Sequence, residues 1–151
     1  MNKLFLLVLL SFNTAYAKDD VLEIKLSSKG NDIAFDITSF QVPFGKDLVL
    51  KFANSANKDS EIIHNIAILA PGSLEEVLKA FEDSDYDVEK LKNHKSVLAM
   101  TPSLEPGQSA NLKLEKSKFT KPGFYPYICL IPGHADMLGM KGLMHIKEKK
   151  S

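Results

Sequence analysis

Tyr127-Ile128-Cys129-Leu130-Ile131-Pro132-Gly133-His134, followed by Ala135-Asp136-Met137-Leu138-Gly139-Met140, is the stretch on which the reading of this chain turns. It holds the only cysteine, a histidine and two methionines. Aromatic and β-branched residues lead into Cys129, and Pro132-Gly133 then forces a turn that aims His134 back toward it. A thiolate, an imidazole and a thioether in one loop form a soft donor set, which suits copper better than magnesium, calcium or manganese. A second histidine, His64, lies far upstream in the apolar run Ile62 to Leu69, where strand pairing can bring it alongside. Two His, one Cys and a weak axial Met are the donors of a blue-copper electron-transfer site.

On either side of that loop, the chain reads as short strands punctuated by turns. Leu22, Ile24 and Leu26 alternate with Glu23 and Lys25, and Ile33, Phe35 and Ile37 repeat the pattern after the Lys29-Gly30-Asn31-Asp32 turn. Leu48 to Phe52 gives a third strand. Ile62 to Leu69, nearly all apolar, predicts a central strand buried on both sides. Leu112 and Leu114, Phe124 to Cys129, and Leu143 to Lys147 complete the set. Such spacing predicts an all-β sandwich or barrel. One stretch departs from it. Ser73-Leu74-Glu75-Glu76 reads as a capping box, and Leu74, Val77, Leu78 and Phe81 keep helical spacing. A helical insert around residues 73–98 is expected, with helices over 74–82 and 87–98. Seven acids crowd it (Glu75, Glu76, Glu82, Asp83, Asp85, Asp87, Glu89), which reads as a solvated flap or, more sharply, as a docking face for a basic partner.

The ends and the composition bound the setting. Lys3, the apolar run Leu4 to Leu10 and Ala15-Tyr16-Ala17 make up the three parts of a secretory leader, too short to span a bilayer. Cleavage after Ala17 is expected, leaving residues 18–151 as a single domain without a membrane span. A lone Cys in an exported protein makes no internal disulfide, and metal ligation resolves the liability of a free thiol in an oxidising compartment. All nineteen basic residues are lysine. Without the leader, eighteen lysines face nineteen acids, so the domain is near neutral and offers no arginine-rich surface for nucleic acid.

Three runs carry a family resemblance: Cys129-Leu130-Ile131-Pro132-Gly133-His134 with Gly139-Met140-Lys141-Gly142, the lead-in Gly123-Phe124-Tyr125-Pro126-Tyr127-Ile128, and His64-Asn65 after a polar loop. Together they resemble the ligand loops of azurin-like cupredoxins, across most of residues 21–148. The resemblance implies a Greek-key β-sandwich holding one type 1 copper, with His64, Cys129 and His134 as equatorial ligands. The axial Met follows the second His by four positions in azurins and five in plastocyanins, where this chain has Leu138 and Gly139. Met140 is the expected axial ligand, because Met-Lys-Gly matches the family and leads into the last strand, with Met137 as the alternative. Azurins also carry a Ser or Thr after the Cys, whose hydroxyl bonds to the Asn beside the first His. Here that position is Leu130, and Asn65 is left to bridge the ligand loops through backbone groups.

The reading that follows is a periplasmic one-electron carrier, acting as a monomer with transient redox partner proteins such as a cytochrome or terminal oxidoreductase. An apolar collar of Leu130, Ile131, Pro132 and Leu138 around His134 is the expected docking patch. Copper handling (sequestration, delivery or resistance) is the alternative, with Met100, Met137, Met140 and Met144 as a thioether-rich Cu(I) set. An oxidase is not expected, since multicopper oxidases flank the Cys with His and Cys129 is flanked by Ile128 and Leu130. No nucleophile–base pair points to an enzyme. His94 and His145 read as surface residues.

Overall fold

The computed structural model describes residues 21–148, so the expected leader and its cleavage point lie outside the described residues. Nine strands are described: β1 (Val21–Lys29), β2 (Asp32–Phe35), β3 (Ser39–Pro43), β4 (Asp47–Ala53), β5 (Ala67–Leu69), β6 (Val97–Met100), β7 (Ser109–Leu114), β8 (Gly123–Ile128) and β9 (Lys141–Lys147). They form two sheets, ordered β2-β1-β4-β7 and β3-β9-β8-β5-β6. The chain changes sheet after β2, β3, β4, β6 and β7, which gives the expected Greek-key sandwich. Pairing is parallel for β1 with β4 and for β3 with β9, and antiparallel elsewhere.

The two-residue alternation of the sequence becomes the interior. Leu48, Leu50 and Phe52 of β4 and Leu112 and Leu114 of β7 meet Tyr125 and Tyr127 of β8 and Met144 and Ile146 of β9 in one cluster between the sheets. Cys129 and Met140 belong to the same cluster, so the end of the sandwich that carries the expected ligands is continuous with its core. Each such large side chain contributes about 1.5–3 kcal/mol by leaving water.

The insert differs from its sequence reading in three ways. The first helix, α1, forms as expected (Leu74–Asp83), but α2 is a single turn (Val88–Leu91) and the rest of the expected 87–98 helix is absent. Val97–Met100 instead pairs with β5 as an edge strand, because a partner strand outweighs weak local helix preference. Second, the insert is no solvated flap. Val77, Phe81 and Leu91 pack with Ala67, Leu69, Ile128 and Leu130 in a second cluster on the outer face of β5 and β8. Those strands are therefore buried on both faces, the physical reason for the continuous apolar run at 66–69. Third, the capping box does not close: Ser73 donates its hydroxyl to Ala70 O (2.7 Å) and makes no cap bond. Glu76 is drawn to Lys95 (3.0 Å) and Ser96 (3.2 Å) instead. Much of the acidic charge is met locally, by Lys79 on Asp83 and Lys95 on Glu76 (3.0 Å each) and by Lys90 on Asp87 (3.8 Å).

Candidate metal centre

β8 and β9 run antiparallel to the register Ile128↔Lys141, and one further ladder bond, Cys129 N–H to Met140 O (3.1 Å), closes the hairpin at its mouth. Cys129 and Met140 are thus the two feet of a single loop. Within it, His134 N–H bonds to Ile131 O (3.0 Å), with Pro132 and Gly133 between them and Gly133 at φ +80°. That is a type II turn, which requires a positive φ at its third residue and so favours glycine. The turn folds His134 back as the sequence predicted, and Met140 N–H bonds to His134 O (2.8 Å) to fix it there.

His64 arrives differently. The expected strand at 62–69 is reduced to Ala67–Leu69, and His64 makes only an isolated bridge to Leu104, with His64 N–H on Leu104 O (3.1 Å) and Leu104 N–H on His64 O (2.7 Å). Asn65 then joins the two ligand-bearing segments. Its Oδ1 accepts Leu130 N–H (2.6 Å) and its Nδ2 donates to Leu130 O (3.2 Å). The backbone bridging expected of Asn65 is present, and it replaces the hydroxyl contact that a Leu cannot make.

These elements converge. Cys129 Sγ lies 3.8 Å from His64 Nδ1 and 3.5 Å from His134 Nδ1, and the three donor atoms fall within 4.8 Å of one another. The two imidazole centroids are 5.1 Å apart at 57°. Ligands about 2.1–2.3 Å from a first-row ion and spread at 120° would be about 3.6–4.0 Å from each other, so the side chains already stand close to ligand spacing. Among the described residues this is the one cluster of His, Cys, Asp or Glu close enough to share an ion.

The electrostatics fit a cation. Burial pushes the Cys129 thiol up to about 12, while the backbone N–H groups of Asn65 and Ile131 pull the other way. A thiol so placed is protonated at neutral pH and becomes a thiolate only against a positive charge. Desolvation, with the neighbouring His134 as a second cause, lowers His64 to about 4, and burial lowers His134 as well, so both rings are neutral and able to offer a lone pair. His64 Nε2 is buried without a hydrogen-bond partner, so the ring's polar contact is through Nδ1 alone.

The two methionines separate cleanly. Met140 is fully buried in the core beside Cys129, whereas Met137 is 80 % exposed with its sulfur above Gly133. The expected collar is corrected: Leu130 turns away into the outer cluster and is buried, Ile131 is half-buried against the inner core, and Pro132, Met137 and Leu138 form the exposed rim beside a half-buried His134. His145 lies on the outer face of β9, stacked on Phe124 at 4.4 Å, and His94 is half-buried near Glu76; neither approaches the cluster. Sequence reasoning missed Asn54 and Thr101, and gave Gly142 no role beyond its place in the Met-Lys-Gly run. Thr101 accepts Ile66 N–H (3.1 Å) beside the His64 segment. Gly142 faces Tyr127 so closely that a Cβ would overlap the phenol ring. Only a polar residue ending an apolar strand, Asn54, offered any signal.

A β-sandwich with His, Cys and His gathered at one end and a buried Met beneath them defines a cupredoxin-type copper protein. Comparison with known proteins agrees: residues 22–147 match the family described as copper binding proteins, plastocyanin/azurin family, and the chain belongs to it. Auracyanin-A of Chloroflexus aurantiacus is 28% identical over 120 residues, an alignment covering 76% of this chain and 69% of that one. Among solved structures, dithionite-reduced auracyanin from the photosynthetic bacterium Roseiflexus castenholzii is 26% identical with a TM-score of 0.68, covering 83% of this chain and 96% of that one. The azurin Az-iso2 of the methylotroph Methylomonas sp. strain J, at 24% identity and TM-score 0.69 over 85% of this chain and 98% of that one, shares the fold. Copper is thus the metal of this blue-copper protein, in a family whose members are generally electron carriers.

Proposed function

We propose that the protein is a periplasmic one-electron carrier, exported by cleavage after Ala17, with His64, Cys129 and His134 as equatorial ligands of one copper and Met140 as its axial ligand. The single observation that carries this reading is the pair of Sγ–Nδ1 distances, 3.5 and 3.8 Å, inside a buried cluster that joins two separate parts of the chain. Copper bound there supplies a couple between Cu(II) and Cu(I). The chain's own part is to hold the donors so that little moves when the charge changes. The type II turn fixes His134, the Asn65 carboxamide ties the His64 segment to Leu130, and Cys129 and Met140 are locked by the hairpin ladder. Water is kept out by the burial of His64, Asn65, Cys129 and Met140. The Asn65 and Ile131 N–H groups at the sulfur favour the thiolate and tune the potential.

His134, bordered by exposed Pro132, Met137 and Leu138, is the edge at which a transient redox partner docks. Small, weak interfaces suit such encounters. No helix among the described residues is long and apolar enough to cross a membrane. The copper-handling alternative asks the methionines to converge, and they do not. Met140 and Met144 are in the inner core, Met100 packs against the outer cluster and Met137 stands in solvent. No substrate is turned over in this reading.

The test is the visible and EPR spectrum of the mature protein with one equivalent of Cu(II). The expected result is an intense thiolate-to-copper band near ~600 nm with narrow hyperfine splitting. A pale, tetragonal copper spectrum would sink the carrier reading.

A further inference from the structure

The His64 segment has almost no strand ladder to hold it, yet His64 is fully buried and its Nδ1 stands 3.8 Å from the Cys129 sulfur. Something else must set its depth. Two residues before it, Ile62 follows Glu61, a non-glycine residue at φ +56°, a left-handed conformation that persists only where neighbours enforce it. The carbonyl of that Ile62 is held by Asn54, which lies directly after the last residue of β4 and is 1 % exposed.

The Asn54 carboxamide uses all of its hydrogen-bonding capacity. Nδ2 donates to Ile62 O (2.7 Å) on the His64 segment and to Leu104 O (2.8 Å) on the segment facing it. Oδ1 accepts Ala56 N–H (3.1 Å) and the Ser28 hydroxyl (3.3 Å). Its main chain is pinned too, by N–H to Gln108 O (2.9 Å) and Gly107 N–H to its carbonyl (2.8 Å). Leu104 O therefore receives both the His64 N–H and the Asn54 amide. A buried group with two donors on one side and two acceptors on the other is met by Asn and by no shorter side chain.

We infer that Asn54 is a positioning residue for the metal centre: by holding the carbonyls of Ile62 and Leu104 together, it fixes how far His64 reaches toward Cys129. The inference rests on the copper reading above, but half of its test needs no metal. Asn54→Ser shortens the arm so that it cannot span both carbonyls. Asn54→Asp keeps the shape and the Oδ1 contacts but sets an acceptor against two carbonyl oxygens. Ser28→Ala is the control, since it removes the hydroxyl's bonds to Asn54 Oδ1 (3.3 Å) and Ser55 N–H (2.8 Å), on the opposite side of the same network, and leaves both carbonyl bonds intact.

Amide hydrogen exchange of the metal-free proteins is read first. Both Asn54 variants should speed exchange at the His64 and Leu104 N–H groups by about tenfold, with the β8–β9 amides near wild type. Ser28→Ala should leave the His64 amide alone. In the Cu(II)-loaded proteins, the Asn54 variants should broaden the hyperfine splitting and move the potential, and Ser28→Ala should do neither. Uniform acceleration of all amides, with a wild-type spectrum, would overturn the inference, because it would make Asn54 a merely stabilising residue. If one Asn54 variant folds poorly, the other decides. A wild-type protein without a blue spectrum would sink the copper reading while the exchange pattern still judges the clamp.

Discussion

The two contributions to the metal centre are built by opposite means. Cys129, His134 and Met140 come from one hairpin whose strands register them automatically: once Tyr125 pairs with Met144, the feet of the loop are fixed. His64 comes from a segment with a single bridge, placed by the side-chain amides of Asn54 and Asn65. Precision therefore resides in two different kinds of contact. The hairpin's geometry is stored in the ladder and the core, while that of His64 is stored in a few buried polar contacts.

Substitutions put this contrast to the test. The largest effect belongs to Cys129→Ser, which removes the thiolate and should abolish the blue band altogether while the sandwich still folds, as circular dichroism would register. Gly142→Ala should follow. A methyl there meets the Tyr127 ring, whose hydroxyl is tied to Ile37 O (2.6 Å), so the mouth of the hairpin must distort at a cost of about 3 kcal/mol in denaturant unfolding. Phe81→Ala should cost a similar ~3 kcal/mol by emptying the outer cluster behind Ile128 and Leu130, and yet leave the spectrum nearly intact.

Met140→Leu should raise the reduction potential, measured by redox titration, because the proposed axial donor is exchanged for an apolar group. Met137→Leu should leave the potential in place. The reverse result would transfer the axial role to Met137. Smallest of all is Ser73→Ala, expected to cost about 0.5–1 kcal/mol, since the hydroxyl makes no cap bond and the bond it loses is to Ala70 O (2.7 Å), which keeps the Ser73 N–H (3.3 Å).

What was legible in the sequence follows the same division. Alternation in Leu22, Ile24 and Leu26 and in Leu48, Leu50 and Phe52 reported the inner face directly, because a strand's period is a local property. Pro132-Gly133 announced the turn beneath His134 for the same reason. The helix expected at 87–98 failed because Val97 to Met100 takes its structure from β5, a partner that no local window contains. Leu130 was assigned to a solvent-facing collar because nothing nearby in sequence announces that α1 lies over it. Asn54 went unread since its partners Ile62 and Leu104 are joined to it only by the fold.

The burial pattern around the cluster has a kinetic consequence. His64, Cys129 and Met140 are sealed, β5 and β8 are roofed by the insert, and only His134 among the four reaches solvent. In the carrier role proposed above, one doorway would not hold donor and acceptor together. The protein must release the first before meeting the second, so its throughput is set by how briefly each partner stays, and tighter binding at that rim would make it slower.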